Sequence, residues 1–216
     1  PTRRSSDLRD LVDLDPSGVL RINDSQVAPG GWLLCGLMAV DRARRADTGR
    51  LVLVADDGRT SVVSDGLSIP NGLGWSPDGR TMYHVDTLAR RVDRLAFDPA
   101  TGHVEDRQPA FGTEGVGGMP DGLAVDAEGR IWLAHFGTPY VVCTDESGNE
   151  LDRVELPVAN VTSCAFGGPD LSTLFVTTST RDATVEHPDA GAVFAIATTT
   201  RGQEPRLFGR AARDYE

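Results

Sequence analysis

One phrase is written four times along this 216-residue chain, and it limits the fold more than any composition figure. A polar residue leads a short run of small or apolar residues. A Gly-centred turn follows, and then Trp, Met-Tyr or Leu-Phe. The copies run from Asn23 to Trp32, Asn71 to Tyr83, Asp121 to Trp132 and Ser163 to Phe175. In the first three the leading residue stands eight before the turn glycine, as in Asn23 and Gly31, Asn71 and Gly79, Asp121 and Gly129. Successive leading residues are 48, 50 and 42 apart. A repeat of that length with a hairpin inside each copy is the signature of a β-propeller or a similar array. Equivalent positions of such an array face one axis. Asn23, Asn71, Asp121 and Ser163 are therefore expected to converge, and side-chain oxygens gathered on a central channel suggest a cation site.

The strand pattern agrees with an all-β fold of about four blades. Strands are expected over residues 12–22 and 32–40, joined through Ala28 to Gly31, and over 51–55 and 60–63 around the Asp56-Asp57-Gly58 turn. Residues 73–75, 81–86 and 91–97 make the next blade, and Asp98 to Gly102 closes it. Residues 123–125, 131–135, 140–143 and 153–157 make a third. Residues 162–166, 173–178 and 192–197 make a fourth, with a polar loop at 180–189. Trp32, Trp75, Trp132, Phe166 and Phe175 recur at repeat positions and are assigned to the core between blades. The glycines of 112–118 follow no strand-to-helix unit and have no lysine beside them, so they read as a loop and not as a phosphate cradle.

Composition removes several functions. The net charge of −11 argues against nucleic acid or an anionic membrane as partner. No apolar run is long enough to span a bilayer. Cys35, Cys143 and Cys164 are scattered and odd in number, so neither a disulfide framework nor a thiolate zinc site is implied. All 21 basic residues are Arg, which excludes Schiff-base and P-loop lysine chemistry. No Ser sits in a Gly-x-Ser-x-Gly elbow. Residues 1–7 read as a translated sequencing-adapter end and are set apart from the domain over 8–216. On that reading the chain is the later part of a larger ring. An unclosed ring leaves an open strand edge, so the isolated chain is expected to aggregate or express poorly.

The matching stretches then resemble the SMP-30/gluconolactonase/luciferin-regenerating-enzyme family. They include Arg21-Ile-Asn23-Asp24, Pro70-Asn71-Gly72-Leu-Gly-Trp75, Tyr83-His-Val-Asp86, Pro120-Asp121-Gly122, Gly129-Arg-Ile-Trp132 and Ser163-Cys164-Ala-Phe166, in family order. The resemblance implies a six-bladed propeller with one divalent cation on its axis, held by Asn71, Asp121 and a first-blade Glu whose segment this chain lacks. It implies that Arg21 and Asn23 contact substrate. It implies hydrolysis of a small, sugar-type lactone. A cytoplasmic location is expected. Oxygen ligands favour calcium, with magnesium or zinc as alternatives. The chain departs from some members in having no Glu near residues 45–49.

Asp121 is the candidate catalytic residue, since a carboxylate beside a divalent ion can orient and deprotonate water. The competing reading makes Asp121 and Asn71 plain turn residues of Asp-Gly and Asn-Gly pairs. Arg21 and Asn23, two apart on a strand, face one side and can hold hydroxyls or an oxyanion. His103 and His187 are expected in solvent, and His84 and His135 in the channel or the core. Two rival functions stay open: a calcium-binding propeller without turnover, and a six-bladed enzyme of the strictosidine-synthase or paraoxonase type.

Overall fold

The computed structural model describes residues 10–181 and 187–209, so the adapter-like residues 1–7 and part of the expected polar loop lie outside the described residues. Fifteen strands form four antiparallel sheets in a propeller arrangement. The first holds β1 (Leu20–Val27), β2 (Leu33–Ala39), β3 (Gly49–Val54) and β4 (Thr60–Leu67). The second holds β5 (Pro70–Trp75), β6 (Thr81–Asp86), β7 (Arg91–Phe97) and β8 (Val104–Gly112). The third holds β9 (Met119–Val125), β10 (Ile131–Phe136), β11 (Tyr140–Thr144) and β12 (Glu150–Glu155). The fourth holds β13 (Val161–Gly167), β14 (Thr173–Thr178) and β15 (Val193–Ala197). The leading strands are neighbours in turn: β1 lies against β5, β5 against β9, and β9 against β13. They line the axis.

Alternation along the inner strands feeds two different interfaces. In β6, Met82 packs back onto Leu34, Leu51 and Leu53 of the first sheet, while Tyr83 and Val85 pack forward onto Leu123, Ile131 and Leu133 of the third. In β10, Ile131 and Leu133 face back, and Trp132 and Ala134 face forward onto Val161, Cys164 and Leu174. A strand buried on both faces must be apolar at nearly every position, which is why these runs lack polar alternation. Trp75 meets Phe97 edge-on at 5.8 Å, and Trp132 meets Phe166 at 5.7 Å. These aromatics occupy the core as expected. Phe175 does not. It is 39% exposed on the fourth sheet, on a face that no other described sheet covers.

Two strands differ from the sequence reading. The first begins at Leu20, not residue 12, because Leu14 leaves the sheet and covers Cys35, Leu37, Val52 and Val54 from outside. The strand β8 was not expected at all. It carries Glu105, Asp106, Arg107, Gln108 and Pro109, because an outer strand contributes little to either core and is free to be polar.

After β15 the chain runs back along the turn ends of the other sheets. Ala127 N donates to Arg201 O at 2.9 Å, and Gly209 N to Gly31 O at 3.0 Å. The Gln203 side-chain amide donates to Trp75 O at 2.7 Å and lies 3.2 Å from Val125 O, tying the second and third sheets at that end.

Candidate functional site

The opposite end of the inner strands is irregular in the same way in all four sheets. Ladder pairing skips one residue between Ile22 and Asp24 in β1, two between Pro70 and Leu73 in β5, and one between Val161 and Ser163 in β13. In β9 it skips between Pro120 and Leu123, opposite Leu133 and His135 of β10. Each skip is a β-bulge, which frees the skipped residues from the ladder and re-aims a side chain. The freed positions are Asn23, Asn71-Gly72, Asp121-Gly122 and Thr162. Three of the four expected leading residues are therefore the bulged ones. In the fourth sheet the bulge falls on Thr162, not Ser163, and Thr162 shares a hydrogen bond with Thr177 at 2.7 Å.

Asn71 and Asp121 meet. The Asn71 amide donates to Asp121 Oδ1 at 2.5 Å and to Thr87 Oγ1 at 3.1 Å. Both residues lie inside strands, so the reading of Asn-Gly and Asp-Gly as hairpin turns is wrong. The glycines serve another purpose. A Cβ on Gly72 would stand 2.5 Å from Leu123 N and 2.7 Å from Asp121 O, and one on Gly122 would stand 2.8 Å from Ser163 Cα. Adjacent inner strands touch backbone to backbone there, and no side chain fits. The lead-in to Asn71 is fixed by Asp86, whose carboxylate accepts from Ser68 N at 3.0 Å and Ile69 N at 3.1 Å.

Asn23 is tied to the same place, its amide donating to Pro70 O at 3.1 Å, one residue from Asn71. Arg21 is exposed, and its guanidinium donates to Ile22 O at 2.9 Å. His84 and His135 are 1% exposed and belong to the core; His135 Nδ1 lies 3.2 Å from Gly117 O. His103 is exposed beside Glu105.

Asp24 is the residue that the sequence reading quoted without giving it a role. It lines an axial cavity of about 340 Å³ with Gln26, Leu73, Leu123, Ser163 and Gln203. Burial raises its carboxyl above the usual range, against one hydrogen bond from Ser25 N. Burial also pushes Asp121 up to about 7, opposed by the Asn71 hydrogen bond and reinforced by the negative charge of Asp24. No basic side chain pairs with either carboxylate among the described residues. Thr87, too, was missed: it orients Asn71.

The donors at this point are all oxygens: two unneutralised carboxylates and one amide. That set suits a hard divalent cation in kind. The described residues contain no group of three His, Cys, Asp or Glu side chains in metal-binding geometry. No helix among the described residues is long and apolar enough to cross a membrane.

Known proteins share this arrangement of sheets. The chain is 42% identical over 162 residues to pentonolactonase XacC of Haloferax volcanii, covering 75% of this chain and 54% of that protein. It is 34% identical over 197 residues to regucalcin of Xenopus laevis, covering 87% of this chain and 66% of that protein. The crystal structure of a calcium-binding protein, regucalcin, from Agrobacterium tumefaciens str. C58 superposes with a TM-score of 0.80 at 32% identity, over 88% of this chain and 65% of that one. The chain thus spans less than two thirds of the length of these relatives. Residues 2–180 match the SMP-30/Gluconolactonase/LRE-like region, and the chain belongs to that family.

Proposed function

We propose that the axial site hydrolyses a small, sugar-type lactone with the help of a divalent cation, calcium first. The observation that carries this reading is the contact of Asp121 with Asn71 on adjacent bulged strands, beside a second carboxylate that nothing neutralises. Asn71, Asp121 and Asp24 are the residues that would hold the cation. It would polarise the lactone carbonyl and acidify a water.

On this reading Asp121 takes the water proton. A carboxylate that accepts only one hydrogen bond keeps lone pairs for a water proton, which a saturated one does not. The water oxygen bonds to the carbonyl carbon, the ring C–O bond breaks, and the ring oxygen leaves with the proton that Asp121 took up. Asn23, tied to Pro70 O beside Asn71, would meet ring hydroxyls, and Arg21 on the same strand is the second residue proposed to contact substrate. The names of the relatives, a pentonolactonase among them, support the substrate class.

Asp121→Asn tests this. Hydrolysis of D-glucono-δ-lactone or a pentonolactone in calcium should fall by about 10²–10⁴-fold, the usual worth of a general base. Full activity in that variant would overturn the assignment. The rival, a cation-binding propeller, predicts calcium binding without turnover of any lactone.

A further inference from the structure

Beside the strand ends that carry Arg21 and Asn23, in a chain of net charge −11, positive charge collects with no carboxylate paired to it among the described residues. The loop from β2 to β3 carries Arg42, Arg44 and Arg45. Both of its ends are anchored beside the site. At its start, Arg45 Nε points at Ala39 O, and Ala39 pairs with Leu20, next to Arg21. At its finish, a Cβ on Gly49 would stand 3.0 Å from the ring of Pro70, the residue before Asn71. The loop therefore stands over the strand ends that hold Arg21, Asn23 and Asn71.

The charges on this loop repel one another. Partly buried, Arg45 is held below the usual guanidinium value by burial first, and then by the positive charges of Arg42 and Arg21. No carboxylate pairs with Arg42, Arg44 or Arg45 among the described residues; the Asp41 carboxylate instead caps the turn, accepting from Ala43 N at 2.9 Å. An arginine set exposed all round would be a solvated face. Here Arg45 is partly buried, its Nε 3.5 Å from Ala39 O at the strand end that carries Arg21, and no carboxylate pairs with it among the described residues, so an anion is the missing partner.

We propose that Arg21, Arg42 and Arg45 form an anion subsite, so that the preferred lactone carries a second, negatively charged group remote from the ring carbonyl. The inference rests on the lactonase reading and names its substrate class. Guanidinium forks bind carboxylate and phosphate alike, so either an aldaric or a phosphorylated sugar lactone fits the chemistry. The carboxylates of Asp121 and Asp24 lie deeper, on the axis. Such a lactone would enter with its anionic end held at the rim and its carbonyl toward Asp121.

The test compares kcat/KM for glucaro-1,4-lactone and 6-phosphogluconolactone with that for uncharged glucono-δ-lactone, in wild type and in the double variant Arg42→Gln, Arg45→Gln. At least one charged lactone should be preferred by about tenfold or more, the worth of one charge-assisted hydrogen-bonded pair, and the double variant should abolish that ratio. The ratio should also shrink when ionic strength rises from about 0.01 M to about 0.15 M. A ratio near one, unmoved by the substitutions, overturns the anion subsite while leaving lactone hydrolysis intact.

A calorimetric arm keeps the two readings separable. D-glucarate and 6-phosphogluconate, both polyanions, should bind more tightly than the monoanion D-gluconate, and the double variant should lose the difference. Whichever of the two binds more tightly identifies the second group as carboxylate or phosphate. Equal affinity for all three overturns the subsite. If that preference holds but no lactone is hydrolysed, the hydrolase reading fails and the subsite stands.

Discussion

Asp121 and Asp126 lie five residues apart, at opposite ends of strand β9, and their surroundings could hardly differ more. Asp126 is fully buried and saturated. Its carboxylate accepts from Glu128 N at 3.0 Å, Arg130 N at 2.9 Å, Arg130 Nε at 2.7 Å and Trp132 Nε1 at 2.9 Å. Asp121 accepts one hydrogen bond, from Asn71, and feels a like charge from Asp24. A buried carboxylate surrounded by N–H groups is a structural tie; one left hungry is stored reactivity. The comparison teaches that one repeat unit separates its labours by end. The turn end closes the chain on itself, and the bulged end leaves donors free for something else.

Exchanging the fates of the two aspartates is the strongest way to break this comparison. Asp121→Asn should cost about 10²–10⁴-fold in lactone hydrolysis, with a melting temperature equal to or above wild type, since it removes repulsion with Asp24. Asp126→Ala should do the reverse at the level of folding. It takes the acceptor from the buried Trp132 indole, from Arg130 Nε and from the Glu128 and Arg130 amides, while Arg130 keeps Glu128 and Thr200, and should cost about 1–3 kcal/mol in a denaturant titration. A stable Asp126→Ala protein would mean that the saturated end is not the tie described here.

Acid should separate the ends differently. Burial holds both His84 and His135 down to about 4 in the fold. Arg107 and Arg91 also oppose protonation of His84, while Asp86 and Asp93 favour it. Around His135, the Gly117 carbonyl and Glu150 favour the charged form, and Arg153 and Arg90 oppose it. Below its ordinary value near 6.5, an unfolded histidine binds a proton that the fold refuses. Stability is therefore present above about 6.5 and is lost as pH falls toward 4, by up to about 3 kcal/mol per histidine. His84 Nε2 has no hydrogen-bond partner, so His84→Met should flatten that acid limb at little cost near neutrality. An unchanged limb, measured by urea unfolding at several pH values, would contradict the burial argument.

Gly122→Ala sharpens the comparison with the smallest effect. Its new Cβ would press on the Ser163 backbone and should cost about 1–3 kcal/mol by overpacking, with activity reduced because Asp121 is displaced with its strand. The same substitution at the exposed Gly115, where an added Cβ meets nothing, should be nearly silent by the same thermal assay.

Much of this was legible in the chain. The repeat spacing implies four sheets, and the eight-residue interval puts Asn23, Asn71 and Asp121 in register. What stayed hidden was physical in origin. The strand β8 was invisible because outer strands need no apolar pattern. Leu14 looked like strand because covering a sheet and joining one use the same side chains. Thr162 stays hidden because a bulge inserts one residue without any compositional mark, so counting from a turn glycine finds the neighbourhood and not always the residue; Asp24, the residue after the Asn23 bulge, carries no mark of its own. Thr87, Asp86 and Gln203 act through contacts distant in sequence, to which a repeat search is blind.

The bulges have one more consequence. A regular strand assigns its residues to two sides by parity, so moving a side chain to a third direction would ordinarily shift every later residue to the wrong face. The extra residue in each inner strand absorbs that shift on the spot. Below Asn23, Asn71, Asp121 and Thr162, the core residues resume regular ladder pairing on their own faces. A change of side chain at the axis therefore carries no change of register into the inter-sheet interfaces.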